Sequence, residues 1–315
     1  MEFGNYNRTM RQQVSHLFSR EYGVAEREVA QRLDHFYEHP FQKHRCLPLV
    51  AINGNQVIGF QGLFYWPYKF DRTTYRSLQA VDGLIHPDFR GRGIYQQLLE
   101  YADERVAALG ADFMVGFSNK ASRNSLVRNK WQNILDLQWY VKLINPVTSL
   151  FRVAAPKLSD QFDYSREFVD QAPGSFHLAD DADFTNWRAA YSAGAAYAYY
   201  SLTGKNRATF ALKFATRRKY LRELIIGDFR CDTNDAEFIY QAFQSLILKT
   251  RRLKSISILT IALNSNSDAL SITIGRLGFS PINKRINFIV KALSGDSSVY
   301  KPELWNPYYA DVDVW

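Results

Sequence analysis

The stretch Val81-Asp82-Gly83-Leu84-Ile85-His86-Pro87-Asp88-Phe89-Arg90-Gly91-Arg92-Gly93-Ile94 decides how this chain is read. It begins inside an extended, apolar run over residues 74–85 that stops at His86-Pro87, where proline holds the preceding residue in extended geometry and opens a turn. A helix follows the glycines at once. Its apolar positions Ile94, Leu98, Ala102 and Val106 recur every four residues and mark one buried stripe. Gly110 suits its end, since glycine takes the left-handed conformation of a helix C-terminus cheaply. A strand that passes through a glycine turn into a helix makes an anion site. The first helical N–H groups have no partner within the helix, and they point outward with the positive end of the macrodipole. A phosphate or pyrophosphate is the expected ligand, although ordinary turns also contain paired glycines. No Gly-Lys-Ser/Thr follows, and the three-glycine dinucleotide fingerprint is absent.

The whole string resembles the central motif of the GNAT acetyltransferases, in which a hydrophobic strand ends in Val-x-Pro-x-x-Arg-Gly-x-Gly-[Ile/Val]. The resemblance implies an acyl-CoA co-substrate, acetyl-CoA or another short acyl-CoA. Its pyrophosphate would be held by Arg90, Gly91, Arg92, Gly93, Ile94 and Tyr95, with His86 beside them. The developing oxyanion would be met by a backbone N–H on the strand at Leu84–Ile85. Tyr95 stands where the family has a small residue. In the family's next element, Asn-x-x-Ala/Ser, Asn119 and Ser122 match and add to the cofactor set. Lys130-Trp131 replaces Gly-Phe, and Leu126 replaces the tyrosine that protonates the departing sulfur. Ser125, Ser122 or a water is left as the donor. Asp82 lies five residues before Pro87, where many members carry a catalytic glutamate. It reads either as the base for the attacking amine or as a carboxylate that holds a neighbouring strand or loop.

Outward from this motif, helical patterns cover residues 9–22 and 26–37. Strands follow at 49–52 and 57–66, joined by the tight-hairpin signal Asn53-Gly54-Asn55. The aromatic run Phe64-Tyr65-Trp66-Pro67-Tyr68 suits an acceptor pocket or, more commonly, a strand core. Strands at 113–117 and 139–143 bracket a polar helix starting near residue 119. After an aperiodic stretch the rhythm repeats, with helices at 183–191, 236–250 and 267–277. The strands of this half fall at 197–202, 207–214, 221–229, 255–263 and 287–290. The repeat spans about 140 residues, which suits two like domains rather than a solenoid. Residues 264–279 again resemble the helix ending in Gly-Phe, but Gly227-Asp228-Phe229-Arg230-Cys231-Asp232 carries no glycine turn. The expected fold is α/β (α+β): tandem GNAT-like domains, each a mixed, mostly antiparallel central sheet flanked by helices. The expected parts are a CoA-binding domain at 1–145, a linker at 146–174, a degenerate domain at 175–295 and a tail at 296–315. Asp311 and Asp313 in that tail read either as lining the acceptor cleft or, the preferred reading, as frayed and solvated.

The chain has 315 residues, 46% hydrophobic and 15% aromatic, ample for two cores. No apolar run approaches the roughly 18 residues of a membrane span, and residues 1–20 do not resemble a signal peptide. A cytoplasmic protein is expected. Cys46 and Cys231 fit no metal or redox spacing, so free thiols and no metal are expected. The net charge of +8 is scattered, which suits a solvated face better than nucleic acid. These readings converge on an N-acetyltransferase acting on the primary amine of a small acceptor, with amino sugars and amino-acid derivatives as candidates. A tandem-GNAT aminoacyl- or peptidyltransferase and a non-catalytic acyl-CoA binder are the alternatives. Oligomeric state is not legible.

Overall fold

A computed structural model describes residues 1–118, 120–145, 174–179, 181–190, 197–217, 221–264 and 268–312. The chain forms two compact units, and they do not follow one another in sequence. The first takes Met1–Ile134, Asp181–Tyr191 and Asn287–Lys301; the second takes Leu135–Asp180, Ser192–Ile286 and Pro302–Trp315.

In the first unit, β1 (Glu2–Asn5), β2 (Leu49–Asn53), β3 (Gln56–Tyr65), β6 (Ser77–Ile85) and β7 (Phe113–Ser118) lie side by side in that order. Two short strands, β4 (Tyr68–Phe70) and β5 (Thr73–Tyr75), precede β6. All sheet pairings in the unit are antiparallel except that of β6 with β7. Alternation along β3 puts Gln61 and Leu63 on one face and Phe60, Gly62 and Phe64 on the other. The first face packs on α3 (Ile94–Ala108), whose Ile94, Leu98, Leu99, Ala102 and Val106 are all buried. The second receives α1 (Arg11–Tyr22) and α2 (Glu26–Leu33), with Phe18 and Tyr37 set edge-on to Phe60. Phe64, Trp66 and Tyr68 are fully buried, which assigns that aromatic run to the core. The hairpin at Asn53-Gly54-Asn55 forms, with Gly54 at φ 59°.

The second unit aligns β8 (Gln132–Leu143), β13 (Ile258–Asn264), β12 (Leu221–Cys231), β11 (Arg207–Arg217) and β10 (Tyr197–Thr203). Again one pair, β12 with β13, is parallel, and β8–β13, β11–β12 and β10–β11 are antiparallel. Its core sets Ala242, Phe243, Leu246 and Ile247 of α6 (Ala236–Arg252) and Ile274 of α7 (Asp268–Arg276) against the sheet. A short strand, β9 (Phe176–Leu178), belongs to this unit. Each unit is thus a mixed, mostly antiparallel sheet flanked by helices.

Several sequence expectations change. The first unit is not the continuous stretch 1–145: it stops at Ile134 and takes in Asp181–Tyr191 and Asn287–Lys301 instead. The last strand, β14 (Ser280–Ala292), is far longer than 287–290, and Asn287–Ala292 pair antiparallel with Phe113–Ser118. Lys291 on it is buried. Its ammonium donates to Asp103 Oδ2 at 2.6 Å and to the Asn129 carbonyl and Oδ1 at 2.8 and 2.9 Å, so all three donors are used. The helix α5 (Ala182–Ala190) also joins the first unit, where Trp187 stacks on Phe41 and Phe184 meets Trp66 edge-on. Asp311 is 4% exposed rather than solvated, and its Oδ2 accepts the Tyr308 N–H at 2.9 Å. Asp313 and residues 146–173, most of the expected linker, lie outside the described residues. Both cysteines are free and buried, as expected.

Candidate active site

The site grows from a defect in β6. Opposite Phe60 lies Leu84 and opposite Gly62 lies Val81, so Asp82 and Gly83 face the single residue Gln61. This is a β-bulge, which bends the strand and ends regular pairing. Asp82 carries it at φ 55°. On the other side of β6, pairing with β7 stops at Ala80–Gly116 although both strands continue. The two strands diverge there. A cleft of about 570 Å³ opens beside the free stretch, lined by Gly83, Leu84 and Ile85 of β6.

The chain leaves β6 through the 3-10 turn Pro87–Phe89 and enters α3 by way of Gly91 and Gly93 at φ 75° and 73°. These left-handed values favour glycine, and a Cβ on Gly91 would meet nothing within 4 Å. No side chain caps α3, and its first turn carries no acid. The first intrahelical bond is from the Gln97 N–H to the Gly93 carbonyl at 3.2 Å. The amides of Ile94, Tyr95 and Gln96 therefore precede any internal partner, and all three residues line the cleft with Gly91 and Gly93. Arg90 and Arg128 add positive charge to its wall. Arg90 is anchored: its Nε donates to the Ile85 carbonyl at 2.9 Å, and Nη2 pairs with Glu21 at 2.7 Å. Electrostatically this is an anion cradle with one carboxylate, Glu21, at its edge.

Most residues picked from sequence converge here. Ser122 and Ser125 line the cleft from α4 (Lys120–Arg128). Leu126 is buried among the α3 contacts and offers the cleft no hydroxyl. Others point elsewhere. Arg92 donates to the Asp88 carbonyl at 3.0 Å and stacks over Phe89. The His86 ring caps the 3-10 turn through the Asp88 N–H at 3.3 Å, meets Arg20 at 2.8 Å and lines a separate cavity of about 270 Å³. Asp82 is turned toward α2 and the turn after it, accepting from Arg32 Nη2 at 3.0 Å and from the Tyr37 hydroxyl at 2.7 Å. Asn119 lies outside the described residues.

Tyr95 explains its own departure from the family pattern. Its side chain crosses the bulge, and the hydroxyl donates to Gln61 Oε1 at 2.9 Å. The Gln61 amide is oriented by donating Nε2 to the Gly62 and Val81 carbonyls at 2.8 and 2.9 Å, so Oε1 can only accept. Burial pushes the phenol well above its usual pKa and keeps it a donor. The hydroxyl sits so close over Gly83 that a Cβ there would fall 2.5 Å from it. Glu21 and Tyr22 of α1 and Arg128 of α4 are cleft residues with no local sequence signal, because tertiary packing alone brings their helices to the bulge.

Residues 11–126 match the model of the acetyltransferase (GNAT) family. Solved structures share the fold along nearly the whole chain. A GCN5-related N-acetyltransferase from Anabaena variabilis is 12% identical with a TM-score of 0.64, covering 93% of this chain and 73% of its own. A probable N-acyltransferase from Enterococcus faecalis is 10% identical with a TM-score of 0.60, over 93% and 72%. A putative acetyltransferase from Pyrococcus horikoshii is 11% identical with a TM-score of 0.54, over 98% and 92%. No curated protein matches the chain. Among the described residues no helix is long and apolar enough to cross a membrane, and no group of His, Cys, Asp or Glu suits a metal ion.

Proposed function

We propose that this member of the GNAT acyltransferase family moves an acetyl group from acetyl-CoA to the primary amine of a small acceptor. The observation that carries the reading is the uncapped, acid-free start of α3, opening through Gly91 and Gly93 into the cleft where β6 leaves β7. Acetyl-CoA fits this wall. Its pyrophosphate would be held by the amides of residues 91–96 with Arg90 and Arg128 nearby, and Ser122 would flank its arm. When bound it supplies an activated thioester, whose sulfur leaves readily as a thiolate of pKa about 8.5. The β6 amide at Ile85, which points away from β3, would take up the negative charge developing on the acyl oxygen, the kind of preorganised donor that dominates such catalysis. The acceptor amine must arrive neutral, and Glu21 is the cleft carboxylate closest in kind to that task. Asp82, held on both oxygens by Arg32 and Tyr37, supports a positioning role, fixing the bulge that aims that amide. With Leu126 apolar, Ser122 and Ser125 are the α4 hydroxyls in the cleft left to hand a proton to the departing sulfur.

The test is release of free thiol from acetyl-CoA with a panel of amines, amino sugars and amino-acid derivatives. Amine-dependent release is expected with at least one class. If acetyl-CoA binds but every amine is silent, the chain is a non-catalytic acyl-CoA binder.

A further inference from the structure

We propose that Tyr95, braced by Gln61, limits the length of the acyl chain that the cleft accepts. This rests on the acyl-CoA reading above. That reading puts the thioester carbonyl at the amide of Ile85, two residues past Gly83. Gly83 is where the Tyr95 ring ends. A Cβ on Gly83 would lie 2.5 Å from the Tyr95 hydroxyl and 2.8 Å from Gln61 Oε1, so nothing more can be placed between the strand and these two groups. The brace is stiff. The hydroxyl has one acceptor at 2.9 Å, and that acceptor is itself locked by two backbone contacts. Gln61 is 1% exposed, so moving the ring would strand a buried polar group. A two-carbon acyl group needs room for a single methyl beyond the carbonyl. A longer chain would have to displace the ring and break the Tyr95–Gln61 bond. Closed pockets discriminate single methylenes by about tenfold or more, and a stiff polar stop belongs to that regime. In the second unit the residue at the matching place, second in α6, is the exposed Glu237, so the brace is peculiar to the site.

The experiment measures dissociation constants by calorimetry for free CoA, acetyl-CoA and hexanoyl-CoA, using the full chain as wild type, Tyr95→Phe and Tyr95→Ala. In wild type, hexanoyl-CoA is expected to bind at least about tenfold more weakly than acetyl-CoA. Tyr95→Phe keeps the ring and most of that ratio. Tyr95→Ala brings the ratio within about twofold, and should that variant not fold, Tyr95→Leu, too short to reach Gly83, reads the same quantity. Equal binding of both thioesters to wild type, or a ratio that Tyr95→Ala and Tyr95→Leu leave unchanged, overturns the proposal while the acyl-CoA reading stands. No binding of free CoA or acetyl-CoA to wild type overturns that reading, and this proposal with it.

Discussion

The turn that enters α3 and the turn that enters α6 start from the same local design and end in opposite chemistry. Both follow a strand with a glycine-containing bulge: Asp82-Gly83 against Gln61 in one unit, and a register shift at Gly227 in the other, where Ala211 faces Asp228 and Leu212 faces Ile226. In both, parallel pairing with the next strand ends just before the bulge, at Ala80–Gly116 and at Ile226–Ile261. They then diverge. The first helix begins on a bare glycine with no acid in its first turn. The second begins on Asp235, whose Oδ1 accepts the Glu237 N–H at 2.9 Å, and Glu237 adds a second carboxylate. One helix start is left open to an anion; the other has supplied its own. The space past the second bulge is also taken. Arg230, 2% exposed, pairs with Asp228 at 3.0 Å and donates to the Leu178 carbonyl at 3.1 Å. Beside them Tyr308 is buried in the core, and the turn Tyr309–Asp311 packs on β12 and β13. A bulged, splayed strand pair is therefore a property of the fold. An anion site needs the glycine turn as well.

The substitution expected to break this contrast most strongly is Gly93→Asp. It forces a side chain onto φ 73° and sets a carboxylate among the α3 amides. Acetyl-CoA affinity, read as the ligand-induced rise in Tm, should fall by about 100-fold or more, the scale of an unpaired like charge at an anion site. Arg128→Ala removes an exposed cation from the cleft wall. It should weaken binding about three- to fivefold at low salt and less at high salt, because exposed charges are screened. Asp235→Ala in the second unit should lower stability by about 1 kcal/mol through the lost cap and leave acetyl-CoA affinity as it was. A change in affinity there would mean that the second turn also takes part in binding.

A finer contrast lies at the ends of α4 and α7. Trp131 N–H reaches the Leu126 carbonyl at 3.1 Å, and Phe279 N–H reaches the Ile274 carbonyl at 3.1 Å, the six-to-one bond of a Schellman end. The left-handed residue is Gly278 at φ 82° in one and Lys130 at φ 66° in the other. Lys130→Gly should therefore stabilise the first unit by up to about 1 kcal/mol in denaturant unfolding. The smallest expected effect is a pH slope. Burial lowers the His35 pKa from 6.5 to about 4. Between those values the unfolded chain binds a proton that the folded chain refuses, so stability is whole above pH 6.5 and declines as pH falls toward 4. His35→Gln should flatten that part of the Tm–pH profile.

These contrasts also show what could be read from sequence. The anion turn was legible because its chemistry is carried by backbone, and glycine positions report backbone directly. The α3 stripe and the missing turn before α6 were legible for the same local reason. Lys130 in place of glycine looked like a departure, yet the end it forms is geometrically the same. Tyr95 could not be placed, because its partner Gln61 lies 34 residues away and only the bulge brings them together. The division of β14 and the placement of α5 were likewise invisible. Asn287–Ala292 pair with a strand some 170 residues earlier, and local propensity holds no information about such a partner. Asp311 looked solvated from its polar surroundings, but Tyr308 draws it into a core.

The central claim is that one of two similarly built strand–helix turns holds acyl-CoA. Calorimetric titration of the full chain with acetyl-CoA tests it most directly, run on wild type and on Gly93→Asp. The account predicts one site per chain in wild type and the same site weakened about 100-fold or more in the variant. Two sites per chain, or undiminished binding in the variant, would contradict it.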